Sequence, residues 1–373
     1  MSVLNIDLIA AARPNFMKIA PLYRALMKNT EWCNPRLIHT GQHYDANMSD
    51  AFFRDLGLPA PTLSLGVGSG THAEQTAGVM LAYEKVCLET PPHWTVVVGD
   101  VNSTLACTLA ATKLGIRVAH LEAGLRSGDR SMPEELNRLA IDALSDLLWT
   151  PSPDADENLL KEGIASSRIR RVGNIMIDSL EMMRPTIEQR SHAKILGLDG
   201  VAYGVVTLHR PSNVDDPQKL AAILDALTDA AARVPIVFPL HPRTRQRLSR
   251  DGSLERLERI PGIRLTEPLG YVDFMSLVFG CAFVLTDSGG IQEETTYLGI
   301  PCLTLRDNTE RPITVTQGTN RLIKIRDLAV ALNGVLNGDW PRGRIPELWD
   351  GHTALRVVQS LKEASNLSCS QVA

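Results

Sequence analysis

The sequence predicts an α/β protein of two parallel-sheet domains, on three observations. The chain is 373 residues long, more than one ordinary core accommodates, since cores split into domains of about 100 to 200 residues. Short β-rich runs (LNIDLIAAA, PRLIHTG, TVVVGD, RVAHLEAG, LLWTPS) alternate with helical patterns (FMKIAPLYRALMK, STLACTLAATKLG, PEELNRLAIDALS). Parallel neighbours need such crossover connections, so the alternation argues for a parallel sheet wrapped by helices. After RIRRVGN the same order returns: YGVVTLHR, PIVFPLHP, IRLTEP, FVLTDSGG and PCLTLRD read as strands, with PQKLAAILDALTDAAA, YVDFMSLVFG and IQEETTYLG as helices between them. The boundary is placed near residue 171, and the polar stretch from about 172 to 200 is the expected linker.

Composition narrows the function. With 44% hydrophobic and 21% charged residues and a net charge of -4 without charged tails, the chain reads as globular and without a nucleic-acid footprint. No apolar run approaches the roughly 20 residues of a membrane-spanning helix. The opening MSVLNIDLIAAARPNF has Asp7 inside its apolar run and no basic leader, so it reads as a first strand, and a cytoplasmic location is expected. Six cysteines (Cys33, Cys87, Cys107, Cys281, Cys302, Cys369) form no C-x-x-C pair, which argues against zinc and disulfides. The histidines lack metal-ligand spacing, and neither G-x-G-x-x-G nor G-x-x-x-x-G-K-[ST] occurs; no metal or cofactor is expected.

Ligands of doubly wound sheets bind beyond the carboxyl ends of the strands. The conspicuous polar residues follow strands: Arg13, Asp100, Glu122, His209, His241 and Ser288. Two Rossmann-like domains with these edges facing one another would gather them in an interdomain cleft. In TDSGGIQEETTYLG a strand runs through Ser288-Gly289-Gly290 into a helix, whose free N–H groups and dipole attract a phosphate, with Glu294 one turn on for ribose hydroxyls. The alternative is a tight turn with a helix-stabilising Glu. Asp100, Glu122 and Glu134 could supply an acid and a base from one cavity. Their plainer readings are a helix cap for Asp100 and a capping role for Glu134-Glu135 after Pro133. His209 and Arg210 could hold a diphosphate as its charge grows, or lie exposed at a strand end. Lys18 is either a ligand contact or a solvated helix charge. Thr309-Glu310-Arg311-Pro312 and Gly318-Thr319 form a polar loop after a buried strand.

Taken together, ARPNFMKIAPL, TGQHYD, VVVGDVNSTLA, HLEAGLRSGDRSMPEELNR, VGNIMIDSL, TLHRPSN, TDSGGIQEE and RDNTERPITVTQGTNRL resemble the ordered motifs of the UDP-N-acetylglucosamine 2-epimerase family, from residue 3 to about 325. The resemblance implies a GT-B fold whose last helix, residues 353–373, returns to the first domain. The domains are then 1–171 plus 353–373, carrying sugar and acids, and 172–352, binding UDP. It implies Asp100, Glu122, Glu134 and His209 as catalytic residues. Ser288, Gly289 and Gly290 resemble the diphosphate ligands, Glu294 the ribose ligand, Arg311 a further nucleotide contact, and Phe274 with the backbone near Leu269 the uracil pocket. Arg13, Lys18, Arg138, Arg210 and His241 complete the implied substrate contacts.

The implied reaction is metal-free inversion at C2 of UDP-N-acetylglucosamine, or a close UDP-2-acetamido sugar, by expulsion and return of UDP through a 2-acetamidoglucal. The implied assembly is a homodimer. Alternatives are a hydrolysing 2-epimerase releasing UDP and free N-acetylmannosamine, a GT-B glycosyltransferase, and an inactive UDP-sugar-binding protein. Several positions depart from the commoner pattern: Asn15 replaces an acid, Pro211 and Ser212 stand where Arg and Glu are frequent, and Ile313 follows TERP in place of Glu. These departures bear on the sugar's substituents more than on the reaction class. Gln42 is kept, with Tyr44 and Asp45 where enzymes regulated by their own substrate often differ.

Overall fold

The computed structural model describes residues 3–11, 13–41, 56–190 and 192–370, with the side chains of 13, 14 and 367–370 excepted. Gln42, Tyr44 and Asp45, and the side chains of Arg13 and Cys369, lie outside the described residues. The chain forms two compact units, one of residues 1–182 and 347–373, the other of 183–346.

The first unit contains a parallel sheet of β1 (Leu4–Ala10), β2 (Cys33–His39), β3 (Leu63–Ser64), β4 (Trp94–Val98), β5 (Arg117–Leu121), β6 (Leu147–Thr150) and β7 (Ile169–Arg171). Its strand order is β3-β2-β1-β4-β5-β6-β7. β4 is buried along its whole length, as a strand covered on both faces must be. Because side chains alternate along a strand, each face has its own partners. Ile9, Ile38, Val97 and Val118 pack with Val79, Tyr83, Ala106 and Cys107 of helices His72–Glu89 and Asn102–Lys113. Trp94, on the other parity, donates its indole N–H to Ser365 Oγ at 3.0 Å, and Trp149 does the same to Ser360 at 3.0 Å. Both serines belong to helix Thr353–Ser370, which is therefore part of the first unit. Asp7 is the polar exception in β1. Burial raises its carboxyl, and the contacts from Arg36 Nε at 2.6 Å and Tyr83 Oη at 2.9 Å only partly offset that.

The second unit holds β8 (Gly204–Thr207), β9 (Ile236–Pro239), β10 (Ile263–Thr266), β11 (Phe283–Thr286), β12 (Cys302–Thr304) and β13 (Asn320–Leu322), in the order β10-β9-β8-β11-β12-β13. Its core joins Val206, Phe238, Phe283, Leu285 and Leu303 to Leu220, Ile223, Leu224 and Leu227 of helix Pro217–Ala231. Position 204 must be glycine, since a Cβ there would lie 2.3 Å from the Phe283 ring. Both sheets reverse strand order beside their first strand, the doubly wound pattern. Two Rossmann-like units of this kind in one chain make the GT-B class. Among the described residues no helix is long and apolar enough to cross a membrane.

The expected linker at 172–200 is largely helical: Ile175–Gln189 runs through it, followed by the short helix His192–Ile195. The division between units falls after Met182, where 171 was expected, and before Glu347, where 353 was expected. Contacts explain both shifts. Ser179 Oγ donates to Met17 O at 2.5 Å, and the Asp178 carboxylate accepts from Thr353 N at 3.0 Å and Ala354 N at 2.7 Å, capping the last helix. Trp349 donates to Pro151 O at 3.0 Å, which holds the returning segment to the first unit before the helix starts.

Candidate functional site

In the first unit the polar residues gather where β1, β4 and β5 end, around the reversal between β1 and β4. Helix Arg13–Met27 starts directly after β1 and presents Asn15 and Lys18 to these loops. Asn15 Nδ2 donates to Val98 O at 2.7 Å, and Lys18 forms an ion pair with Glu122. Gly99 is left-handed (φ +67°), and a Cβ on it would point at Lys18 Nζ (3.4 Å), Glu122 Oε2 (3.6 Å) and Asn15 Nδ2 (3.7 Å). These four residues share one small space. Glu122 is only 6% exposed and has φ +73°, a conformation that costs a non-glycine residue about 1–2 kcal/mol. Its Oε1 is buried without a hydrogen-bond partner among the described residues. An acceptor oxygen without a partner among the described residues, in a strained loop, marks Glu122 as a candidate ligand contact.

Asp100 is not a helix cap. Helix Asn102–Lys113 has Val101 at that position with no side-chain capping bond. The Asp100 carboxylate instead receives Arg138 Nε at 2.9 Å and Nη2 at 2.8 Å, both on Oδ2, and Asn137 Nδ2 holds its carbonyl at 2.8 Å. Arg138, 5% exposed, is committed to Asp100 and, at 2.5 Å, to Glu135. Glu134 and Glu135 divide. Glu135 is buried and accepts Ser127 N at 3.0 Å and Gly128 N at 2.9 Å; burial would raise its carboxyl, but these bonds and Arg138 hold it below the usual range. Glu134 is half-buried in the first turn of helix Pro133–Leu144, four residues before Arg138, so the two lie on the same helix face.

In the second unit the centre is Asp287, a residue that sequence reasoning passed over although it directly precedes Ser288. It is fully buried at the end of β11 and accepts from His209 N (3.1 Å), Arg210 N (2.9 Å) and Asn213 Nδ2 (3.2 Å). Its Oδ1 lies 2.9 Å from His209 Nδ1, and Arg210 Nε donates to its carbonyl at 2.9 Å. Burial alone would raise the Asp287 carboxyl, but the His209 hydrogen bond and charge, with the Arg210 N–H, bring it below its ordinary value. His209 is thereby oriented across the reversal between β8 and β11. The His241 ring is 5.7 Å from it, accepting Arg243 N at 3.2 Å as the cap of helix Pro242–Arg250. Desolvation, then the charge of His209, lowers the His241 pKa.

Ser288, Gly289 and Gly290 lead into helix Gly290–Leu298, whose capping residue Gly289 makes no side-chain capping bond. A Cβ on Gly289 would lie 3.2 Å from Arg311 Nη1 and 3.9 Å from Arg306 Nη1, so two guanidinium groups border the turn. Arg306 binds Glu310 at 2.9 and 2.7 Å. Burial would raise Glu310, but Arg306 and Arg311 hold it at about 2. Arg311 also pairs with Glu293 at 2.7 Å. Fully buried Gln292 ties the turn to the following loop, donating to Ser288 O (3.0 Å) and accepting from Thr309 Oγ1 (2.7 Å) and Asn320 Nδ2 (3.0 Å). The arrangement is a glycine-lined helix entrance, bordered by two guanidinium groups that carboxylates hold in place, and its free N–H groups suit a diphosphate.

Glu294 is 4% exposed and accepts Tyr271 Oη at 2.8 Å. Tyr271 opens helix Tyr271–Gly280, on which Phe274 is half-buried, with Leu269 half-buried just before it. Burial pushes Glu294 up to about 7, opposed by Tyr271 and reinforced by Glu293. A carboxyl raised on folding takes up protons in the folded state between its unfolded value of about 4.5 and about 7, so its penalty is absent below that window and full above it. Glu294→Gln is expected to flatten the fall in stability between pH 4.5 and 7 and to raise stability at pH 8 by about 2–3 kcal/mol, read by urea unfolding at each pH. An unchanged pH profile would contradict it.

A sequence profile described as UDP-N-acetylglucosamine 2-epimerase matches residues 25–362. The UDP-N-acetylglucosamine 2-epimerase of Methanocaldococcus jannaschii is 40% identical over 370 residues, covering 96% of this chain and 99% of the relative. The UDP-2,3-diacetamido-2,3-dideoxy-D-glucuronate 2-epimerase of Pseudomonas aeruginosa is 41% identical over 326 residues, covering 86% and 89%. A crystal structure of the M. jannaschii UDP-GlcNAc 2-epimerase in complex with UDP-GlcNAc and UDP superposes with a TM-score of 0.84 at 40% identity, covering 96% of this chain and 100% of that one. On the profile match, the identity and the shared fold, this chain is an epimerase that belongs to the UDP-N-acetylglucosamine 2-epimerase family.

Proposed function

We propose that the protein interconverts UDP-N-acetylglucosamine and its manno isomer without net hydrolysis. The second unit binds UDP through the Ser288–Gly290 turn, Arg311, Glu294 and the Leu269–Phe274 segment, and the first unit carries the proton-handling carboxylates. A base takes the C2 proton as the C1–oxygen bond to UDP breaks, leaving a 2-acetamidoglucal and UDP. UDP oxygen then rebonds to C1 while a proton reaches the opposite face of C2. Asp100 and Glu134 form the proton-transfer pair, Glu122 orients the sugar, and His209 with Arg210 stabilises the departing diphosphate.

The observation that carries this reading is the difference between the three carboxylates. Glu122 is buried against Lys18, Asp100 is half-exposed on Arg138, and Glu134 is half-buried in a helix first turn. One acid and one base at the same pH require such unequal surroundings. A second substrate is favoured by the P. aeruginosa relative, named for a 2,3-diacetamido glucuronate and about as similar as the archaeal one. Asn15 agrees with it, since an amide beside Lys18 leaves the pocket one negative charge poorer and readier for an acidic sugar.

Proton NMR of the protein in heavy water with each UDP sugar tests the proposal. The expected result is deuterium at C2 of both epimers with total UDP-sugar conserved. Stoichiometric free UDP with N-acetylmannosamine would establish the hydrolysing reaction instead, and C2 unlabelled with every UDP-2-acetamido sugar would refute both.

A further inference from the structure

We infer that the buried His120–Asp142 pair is a positioning device that sets the separation of the loops carrying Asp100 and Glu122. The inference rests on the proposed role of those carboxylates. His120 lies on β5 and Asp142 on helix Pro133–Leu144, and both are 0% exposed. His120 Nδ1 is 2.6 Å from Asp142 Oδ1, and Nε2 is 2.9 Å from the carbonyl oxygen of Gly99, the residue before Asp100. Asp142 Oδ2 accepts Gly124 N at 3.0 Å and Arg126 Nη2 at 2.7 Å, on the loop that starts at Glu122. One imidazole–carboxylate pair thus grips the loop after β4 with one end and the loop after β5 with the other.

The chemistry of the partners sets the state of the pair. A carbonyl oxygen only accepts, so Nε2 carries a hydrogen. Asp142 already faces the Arg126 guanidinium and the Gly124 N–H, a setting for a carboxylate, so Nδ1 donates as well. Burial would raise the Asp142 carboxyl, but His120 and Arg126 bring it below its ordinary value. An ion pair without solvent exposure is a poor device for stability alone, since apolar residues of like volume often serve as well. Its geometric return is larger. Gly99, Glu122 and Gly124 all have left-handed backbones (φ +67°, +73° and +80°), and a conformation of that kind at Glu122 persists only where its surroundings over-determine it.

Two substitutions separate the ends of the brace. In His120→Gln the amide nitrogen takes the place of Nε2 and reaches Gly99 O; in His120→Asn it takes the place of Nδ1 and reaches only Asp142. His120→Asn is expected to lower kcat and the rate of C2-proton exchange together by about 30-fold, with KM and UDP affinity within twofold of the parent, since small misplacements of reacting groups cost up to about 100-fold. His120→Gln should recover at least about a third of the loss on a logarithmic scale although both variants melt at similar temperatures. Loss of activity in step with melting temperature, a KM that rises with the loss, or kcat of His120→Asn within twofold of the parent would overturn the inference. If neither variant folds, Arg126→Gln decides. It removes one donor from Asp142, so kcat lowered by about threefold at constant KM supports the brace and an unchanged kcat rejects it. Failure of the parent protein to exchange the C2 proton would refute the proposed function, and this inference with it; normal exchange by parent and variants alike removes the inference only.

Discussion

Asp100→Asn is expected to lower kcat and C2-proton exchange about 10³-fold while leaving UDP affinity within threefold, the scale of losing a positioned general acid or base. The side chain keeps its shape, so Asn137 can still hold the residue-100 carbonyl and Arg138 can still donate to the amide oxygen. What disappears is the capacity to take and return a proton. Arg138 Nε and Nη2 both contact Oδ2, so under the proposed function Oδ1 is the oxygen for the transfer. UDP titration by calorimetry and exchange by NMR on the same sample separate the two effects. A kcat within tenfold of the parent would move the proton-handling role to Glu122 and Glu134.

Asp287→Ala should be the most destructive single change in the second unit. It strips the acceptor from His209 N, Arg210 N and Asn213 Nδ2 at once and leaves the His209 ring without its 2.9 Å partner. Breaking a buried charge-assisted cluster by removing one member costs about 3–5 kcal/mol, and kcat/KM is expected to fall by at least about 100-fold because His209 and Arg210 lose their anchor. Urea unfolding and steady-state kinetics measure the two losses. The folded-state carboxyl is depressed below 3.8, so its contribution is fully present above that pH and is lost as the pH falls through the folded value; the parent-minus-variant stability difference should shrink only in that acid range. A variant as stable as the parent, with His209-dependent activity intact, would show that Asp287 is dispensable.

The legible part of the site was the part carried by strand ends. A strand running into TDSGG, VVVGD, HLEAG or TLHR places its next polar residue at the carboxyl edge of a parallel sheet whatever the rest of the chain does. Glu122, Asp100, His209 and the Ser288–Gly290 turn were therefore nameable as candidates from local pattern. Less legible were the residues whose meaning lies in a distant partner. Asp287 was hidden inside a motif read for its glycines, Glu135 behind its neighbour Glu134, and Gln292 in a helix read as a phosphate cradle. The pairing of Arg138 with Asp100 and Glu135 was likewise not legible from local pattern.

By itself the sequence determined the strand–helix alternation, its repetition and the residues that cap the strands, because backbone hydrogen bonding and side-chain alternation have periods of only a few residues. Only the tertiary structure decided where the units divide, which indoles hold the last helix, and that His120 and Asp142 meet beneath the first unit's acids. Those contacts join residues tens to hundreds of positions apart through right-handed crossovers and burial, and no short-range pattern in a single chain encodes such a distance.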